Sequence, residues 1–192
     1  MTSIKKITAL AATVAATALV AAPAQAAPVS DNTGKAKVKI VKPLTISKAG
    51  DLDFGTIVLP ATPSGASTTV SVSADNTATY SQNCAADGFT CSIANGGAST
   101  NVTYTLTGTN NVNVNVDIDP TVTMTRLTGT ETIVASLTTN LTNSDADASY
   151  DMQLANSGAP GTDFWVGGSL TVADNTVDGV YEGTFTVTAD YE

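Results

Sequence analysis

The last fourteen residues, Gly179-Val-Tyr-Glu-Gly-Thr-Phe-Thr-Val-Thr-Ala-Asp-Tyr-Glu192, decide the fold. Tyr181, Gly183, Phe185, Val187, Ala189 and Tyr191 share one parity; Glu182, Thr184, Thr186, Thr188, Asp190 and Glu192 share the other. Side chains alternate across a strand, so this stretch reads as one long strand with an oily face and a polar face. Such a strand needs a neighbour, because an exposed apolar edge invites association. The neighbour lies either in the same molecule or in another.

The same two-residue period recurs upstream. Phe164–Val172 is a strand that Gly167-Gly168 is expected to kink or bulge. Val102, Tyr104 and Leu106 alternate with threonines, and Val112, Val114, Val116 and Ile118 alternate with Asn and Asp. Pro120 separates that run from Thr121–Leu127. Thr56–Leu59, Ser67–Ser73, Thr132–Leu137 and Met152–Leu154 are shorter strands, and Thr138–Tyr150 is a polar, acidic loop. Asp-Asn-Thr occurs at residues 31, 75 and 174, where side chains bond nearby backbone, so each triplet is a turn signal. Many short antiparallel strands at this spacing predict an all-β, two-sheet sandwich.

At the front, Ala36, Val38 and Ile40 alternate with Lys35, Lys37 and Lys39, giving a further strand with one apolar face. Pro43 removes a backbone donor, and Leu44-Thr-Ile46 resumes the pattern. Met1–Ala26 reads as a signal peptide: Lys5 and Lys6 precede an apolar, Ala-rich run that ends in Ala24-Gln25-Ala26, a small-x-small cleavage site. The chain is thus expected to be exported, to the periplasm, the cell surface or an extracellular fibre, with no membrane span left after cleavage. Residues 27–42 form an N-terminal extension or first strand, and residues 43–192 one domain, large enough to bury roughly 70% of its unfolded surface.

Seventeen acids and eight bases give a formal charge of −9, and His is absent. Beyond Lys5 and Lys6, every base but Arg126 lies between Lys35 and Lys48, so a basic first segment precedes an acidic body. The two attract, within one molecule or between neighbours. An acidic body without basic-aromatic clusters argues against nucleic acid. Without His there is no Ser–His or Cys–His pair, and no enzymatic activity or cofactor is expected. The pairs Asp51/Asp53, Asp117/Asp119 and Asp145/Asp147 match no calcium-loop spacing and read as solvated faces and turns. Cys84 and Cys91 flank Asp87-Gly88, a tight-turn pair, and in an exported chain they predict a disulfide across a hairpin tip rather than a metal or redox site. The sequons at Asn101 and Asn140 are expected by chance in so Asn/Thr-rich a chain.

Gly179, the alternating Phe185, Val187 and Ala189, and the penultimate Tyr191 resemble the C-terminal pattern of chaperone–usher pilus subunits. Gly34–Ile46 followed by Leu52-Asp-Phe-Gly55 is similar to the pilin donor segment and first strand. Together with Gly167-Gly-Ser-Leu-Thr-Val172, these stretches also resemble an uncharacterised family of secreted bacterial β-domains, which is the closer likeness. The resemblance implies an incomplete immunoglobulin-like sandwich whose groove takes the N-terminal extension of the next subunit. Ala36, Val38 and Ile40 would be inserted, and Phe185 and Val187 would line the groove. It further implies a fimbrial or adhesive role, with a periplasmic chaperone and an outer-membrane usher as partners. One departure bears on that route: pilins usually carry a first-strand Cys where this chain has Leu44. The competing function is a monomeric secreted carbohydrate-binding or matrix module, sugar binding using Tyr80, Phe164 and Trp165, one of the adjacent aromatics pointing into the core.

Overall fold

The computed structural model describes residues 28–82, 88–92, 100–142 and 149–192. The described residues form no helix; they form β1 (Thr45–Ala49), β2 (Thr56–Val58), β3 (Ser67–Val72), β4 (Tyr80–Gln82), β5 (Thr90–Ser92), β6 (Val102–Thr107), β7 (Asn113–Ile118), β8 (Thr121–Arg126), β9 (Thr132–Thr139), β10 (Tyr150–Gln153), β11 (Thr162–Ala173), β12 (Tyr181–Glu182) and β13 (Val187–Tyr191). The expected signal peptide and the Cys84–Cys91 disulfide lie outside the described residues. None of the described helices is long and apolar enough to cross a membrane, there being none.

The chain divides into a unit ending at Val38 and a unit of Lys39–Glu192. In the first, residues 28–38 are exposed and form no strand. The strand expected over Ala36–Ile40 is therefore not formed, and Val38 and Ile40 are 83% and 82% exposed. Alternation makes a segment competent to be a strand, but a strand needs a ladder partner. Among the described residues the first ladder of this chain begins beyond Pro43, at Thr45↔Thr107.

In the second unit the larger sheet has eight strands, with the path β1-β6-β11-β9-β8-β12 and with β3 and then β4 branching beside β11. β11 is long enough to take two neighbours in succession on one edge, β6 along Thr162–Val166 and β3 along Gly168–Ala173, with β9 on the other edge. The changeover falls at Gly167. A Cβ there would lie 2.8 Å from the Ser73 carbonyl carbon and 2.9 Å from the Ala74 nitrogen. Pairing with β9 runs unbroken from Val166↔Thr139 to Leu170↔Ala135, so the expected bulge is absent and the glycine serves close backbone approach. A smaller sheet has the order β10-β7-β13, and β2 pairs with β5. The all-β, antiparallel, sandwich-like architecture agrees with the expectation, with the β2-β5 pair as a third, two-stranded sheet.

The period-2 pattern directs one face of each strand inward. In β6, Val102, Tyr104 and Leu106 are buried, and in β7 Val114, Val116 and Ile118. Phe164 of β11 is fully buried and stacks on Tyr104 at 5.3 Å between ring centroids. These residues form one core region. Val70, Val72, Leu170, Val172 and Phe54 form another, and Leu52, Leu137 and Phe185 pack against both.

The long C-terminal strand is split. Its first part pairs with β8 as Tyr181↔Arg126 and Glu182↔Thr125; its second pairs with β7 from Val187↔Ile118 to Tyr191↔Val114. Between Glu182 and Val187 the segment advances five residues while its partner advances seven, from Ile118 to Thr125. Pro120 is the cause. It has no N–H, and at this point the partner chain passes from the smaller sheet into the larger one. Asp119 ties the two crossings together: its N–H donates to the Thr186 carbonyl at 3.1 Å, and its carboxylate accepts from the Thr186 N–H at 2.6 Å.

Candidate strand-accepting groove

The two end strands of the larger sheet's main path, β1 and β12, line one cleft of about 610 Å³. One wall is Lys48 of β1 and the following Asp51–Phe54; the other is Val180–Phe185; Tyr104 of β6 and Met124 of β8 lie between them. A second cleft of about 650 Å³ continues past β2 and the 176–181 turn. The two share Leu52, Asp53, Phe54, Met124, Val180 and Tyr181, so the feature is one groove, lined mainly by apolar side chains. The curled sheet thus leaves a gap between its own first and last strands. Edge strands present backbone groups along such a gap, and residues 183–186 take part in no strand ladder.

Local sequence builds both walls. On the first, the Asp53 carboxylate accepts the Gly55 N–H at 2.7 Å, and Gly55 has φ +77°, which glycine alone adopts without cost. The Asp53 N–H donates to the Thr100 carbonyl at 2.9 Å, holding the wall to the strand behind it. This aims Leu52 and Phe54 inward and leaves Asp51 and Asp53 exposed. On the second, Gly179 has φ +150°, and a Cβ there would meet Arg126 Nε at 2.6 Å. Arg126 Nε donates to the Asp178 carbonyl at 2.7 Å, and the Leu127 N–H donates to the Val180 carbonyl at 2.9 Å. The Tyr181 hydroxyl closes the turn by donating to the Val177 carbonyl at 2.7 Å.

Phe185, Val187, Ala189 and Tyr191 face inward as their parity predicts, yet each is only half-buried. Tyr191 has a further task. Its hydroxyl accepts the Thr109 N–H and donates to the Lys42 carbonyl, each at 2.8 Å, while the Lys42 N–H donates to Thr109 Oγ1 at 2.6 Å. The hydroxyl lies where a Cβ on Gly108 would be, so only glycine fits there. Lys42 is thereby anchored where the N-terminal segment ends. The strand alternation read from the sequence singles out neither Gly108 nor Lys42.

The other candidate residues are dispersed. Phe164 is in the core and Trp165 half-buried, so one of the adjacent aromatics does point inward. That placement removes Phe164 from any surface platform. Tyr80 is half-buried, its hydroxyl has no partner among the described residues, and burial pushes its phenol pKa up, as it does that of Tyr104. Asn101 donates to the Ser73 and Asp75 carbonyls, and Asn140 accepts the Trp165 N–H, so both sequon side chains are engaged within the fold. Two Asp-Asn-Thr triplets are local turns, in which hydrogen bonds from Thr33 and Thr77 hold Asp31 and Asp75 below the ordinary carboxylate pKa. The third differs. Asp174 is buried, and its carboxylate accepts the N–H groups of Ser64, Gly65 and Ala66, chiefly Ser64, which lower its pKa. No group of three or more metal-ligating side chains gathers among the described residues.

No curated protein matches this chain. A family model described as a domain of unknown function (DUF4402) matches residues 44–191, from the residue before β1 to the end of β13. With its whole β-domain so matched, the chain belongs to this family of unknown function, DUF4402.

Proposed function

We propose that the chain is an exported structural subunit of a bacterial surface fibre, assembling by β-strand addition. One observation carries the reading. The apolar groove between β1 and β12 is accompanied in the same chain by a segment with strand alternation and no strand partner. In this reading Ala36, Val38 and Ile40 of one copy enter the groove of the next, where main-chain hydrogen bonds supply affinity and alternate side chains fill pockets. Val38 and Ile40 are large, aliphatic and exposed, which favours a role outside their own chain. A periplasmic chaperone that covers the groove before assembly and an outer-membrane usher are the partners of this route. The carbohydrate module fares worse, because Phe164 is committed to the core.

The test is assembly of the full chain as exported. Unheated samples on a denaturing gel should show a ladder that boiling collapses. The double substitution Val38→Asp/Ile40→Asp should remove the ladder without changing the circular dichroism spectrum. A ladder that persists in this variant refutes strand addition by this segment.

A further inference from the structure

Resting on that reading, we infer that the groove selects its occupant by charge: it takes the extension of a second copy in the register that lays Lys35, Lys37 and Lys39 along the groove's acidic lips. When one parity of an added strand enters the groove, the other parity lies outside, level with the outer side chains of the two walls. On this chain four of those outer side chains are acids, beside Lys48, Val180 and Thr184. Asp51 and Asp53 are exposed on the first wall, and Asp178 and Glu182 on the second. The extension offers the opposite pattern, with a lysine at each outer position beside an inward Ala36, Val38 or Ile40.

Among the described residues, Asp51 is the one member of this pattern with an ionic partner in its own molecule. Among the described residues the ion pairs are Lys48–Asp51 at 2.6 Å and Arg126–Glu131 at 3.6 Å. Asp53, Asp178 and Glu182 are in neither pair, nor are Lys35, Lys37 and Lys39. Among the described residues, the Lys39 ammonium donates to the main-chain oxygen of Glu192 at 3.4 Å. Among the described residues that line the groove, Lys48 is the single base, and Asp51 already occupies it.

Opposite charges directly across neighbouring strands are mutually stabilising, and like charges are not. Complementary potentials also speed encounter and reject wrong partners more than they deepen affinity. A register slipped by one residue would drive the lysines into the apolar groove and the aliphatic side chains out. The alternating charge therefore fixes the register that the alternating hydrophobicity also requires, and it disfavours neutral or acidic strands.

The experiment follows assembly of the full exported chain by light scattering at rising salt. The wild type should slow by about tenfold or more between 0.05 and 0.5 M salt, as screening shortens the range of attraction. Asp51→Lys/Glu182→Lys changes one side only; Asp53 is left intact because its carboxylate closes the turn at Gly55. Lys35→Glu/Lys37→Glu/Lys39→Glu changes the other side only. Each should slow assembly by about tenfold at low salt. The chain carrying both sets should recover to within about threefold of wild type, because the charge pattern is inverted but complementary. Each substituted side chain is exposed, and equal melting temperatures would confirm equal folding. Salt-independent assembly, with both one-sided variants matching wild type while Val38→Asp/Ile40→Asp still blocks it, overturns charge selection and leaves strand addition standing. Assembly that survives Val38→Asp/Ile40→Asp overturns both.

Discussion

Removing one oxygen from Tyr191 tests how the end of the chain holds its beginning. In Tyr191→Phe the ring stays packed against the β7 core, but two hydrogen bonds vanish, one from the Thr109 N–H and one to the Lys42 carbonyl. A neutral hydrogen bond contributes about 1 kcal/mol net, and both orphaned groups are backbone atoms near solvent that water can partly satisfy. The expected loss is about 2 kcal/mol. For a domain of this size that lowers Tm by about 4–8 °C. Differential scanning calorimetry at fixed chain concentration measures it.

Gly108 provides the control. An alanine there places its methyl on the Tyr191 hydroxyl and 2.8 Å from Leu154 Cδ1, an overpacking that costs about 1–3 kcal/mol. In the Tyr191→Phe background the hydroxyl is gone, so part of that collision is relieved. The double variant should therefore be less destabilised than the sum of the singles, with a coupling of about 1 kcal/mol. Two results would refute the reasoning: a Tm for Tyr191→Phe within about 1 °C of wild type, or strict additivity in the cycle.

Phe164→Ala should cost about 3–5 kcal/mol in urea unfolding, since it empties a fully buried position and removes the stack on Tyr104. Gly167→Ala should cost about 1–3 kcal/mol by the same assay, because the new methyl presses on the backbone at Ser73 and Ala74, just past the end of β3. Asp174 gives a pH dependence of known sign. Its folded pKa is lowered below the unfolded value of about 3.9, so its contribution is complete above about pH 4 and is lost as pH falls through the folded pKa. Asp174→Asn should lower stability near neutral pH and show a smaller further loss between pH 5 and 2 than wild type; equal slopes would contradict the assignment.

What the sequence showed and what it hid divide along a physical line. Parity is local, so the strands β6, β7 and β11 were legible as Val102–Thr107, Val112–Ile118 and Phe164–Val172, close to the bounds they take in the fold. Pairing is not local. Pro120 was visible as a break, but its effect falls on Gly183–Thr186, more than sixty residues later, and emerges only when the two stretches are laid side by side. The Asp-Asn-Thr triplets make the same point. Asp31 and Asp75 act on their own turns, as their type predicts, whereas Asp174 is taken up by amides 108 to 110 residues away. The groove was hidden for the same reason, because its walls are the two ends of one sheet, and only the sheet's order brings them face to face.

The burial of the last segment bears on whether that groove is merely a surface feature. Val114 and Val116 of β7 are fully buried, whereas Ala189 and Tyr191, their ladder partners on the adjoining strand, keep part of their surface in water. Phe185, which packs against both core regions, is half-exposed at the cleft. An inward parity with incomplete burial is the state of a strand that lacks a neighbour, and covering such apolar surface is favourable by about 25 cal/mol per Å². A neighbour that binds the folded chain alone must therefore stabilise it by mass action. If copies of this chain supply that neighbour, Tm must rise with chain concentration, and each tenfold increase beyond saturation adds about 1.4 kcal/mol of apparent stability. Val38→Asp/Ile40→Asp should abolish that rise while matching the Tm of the dilute wild type. A wild-type Tm that stays constant across a hundredfold range of concentration would mean that the half-buried face is the finished surface of a monomer.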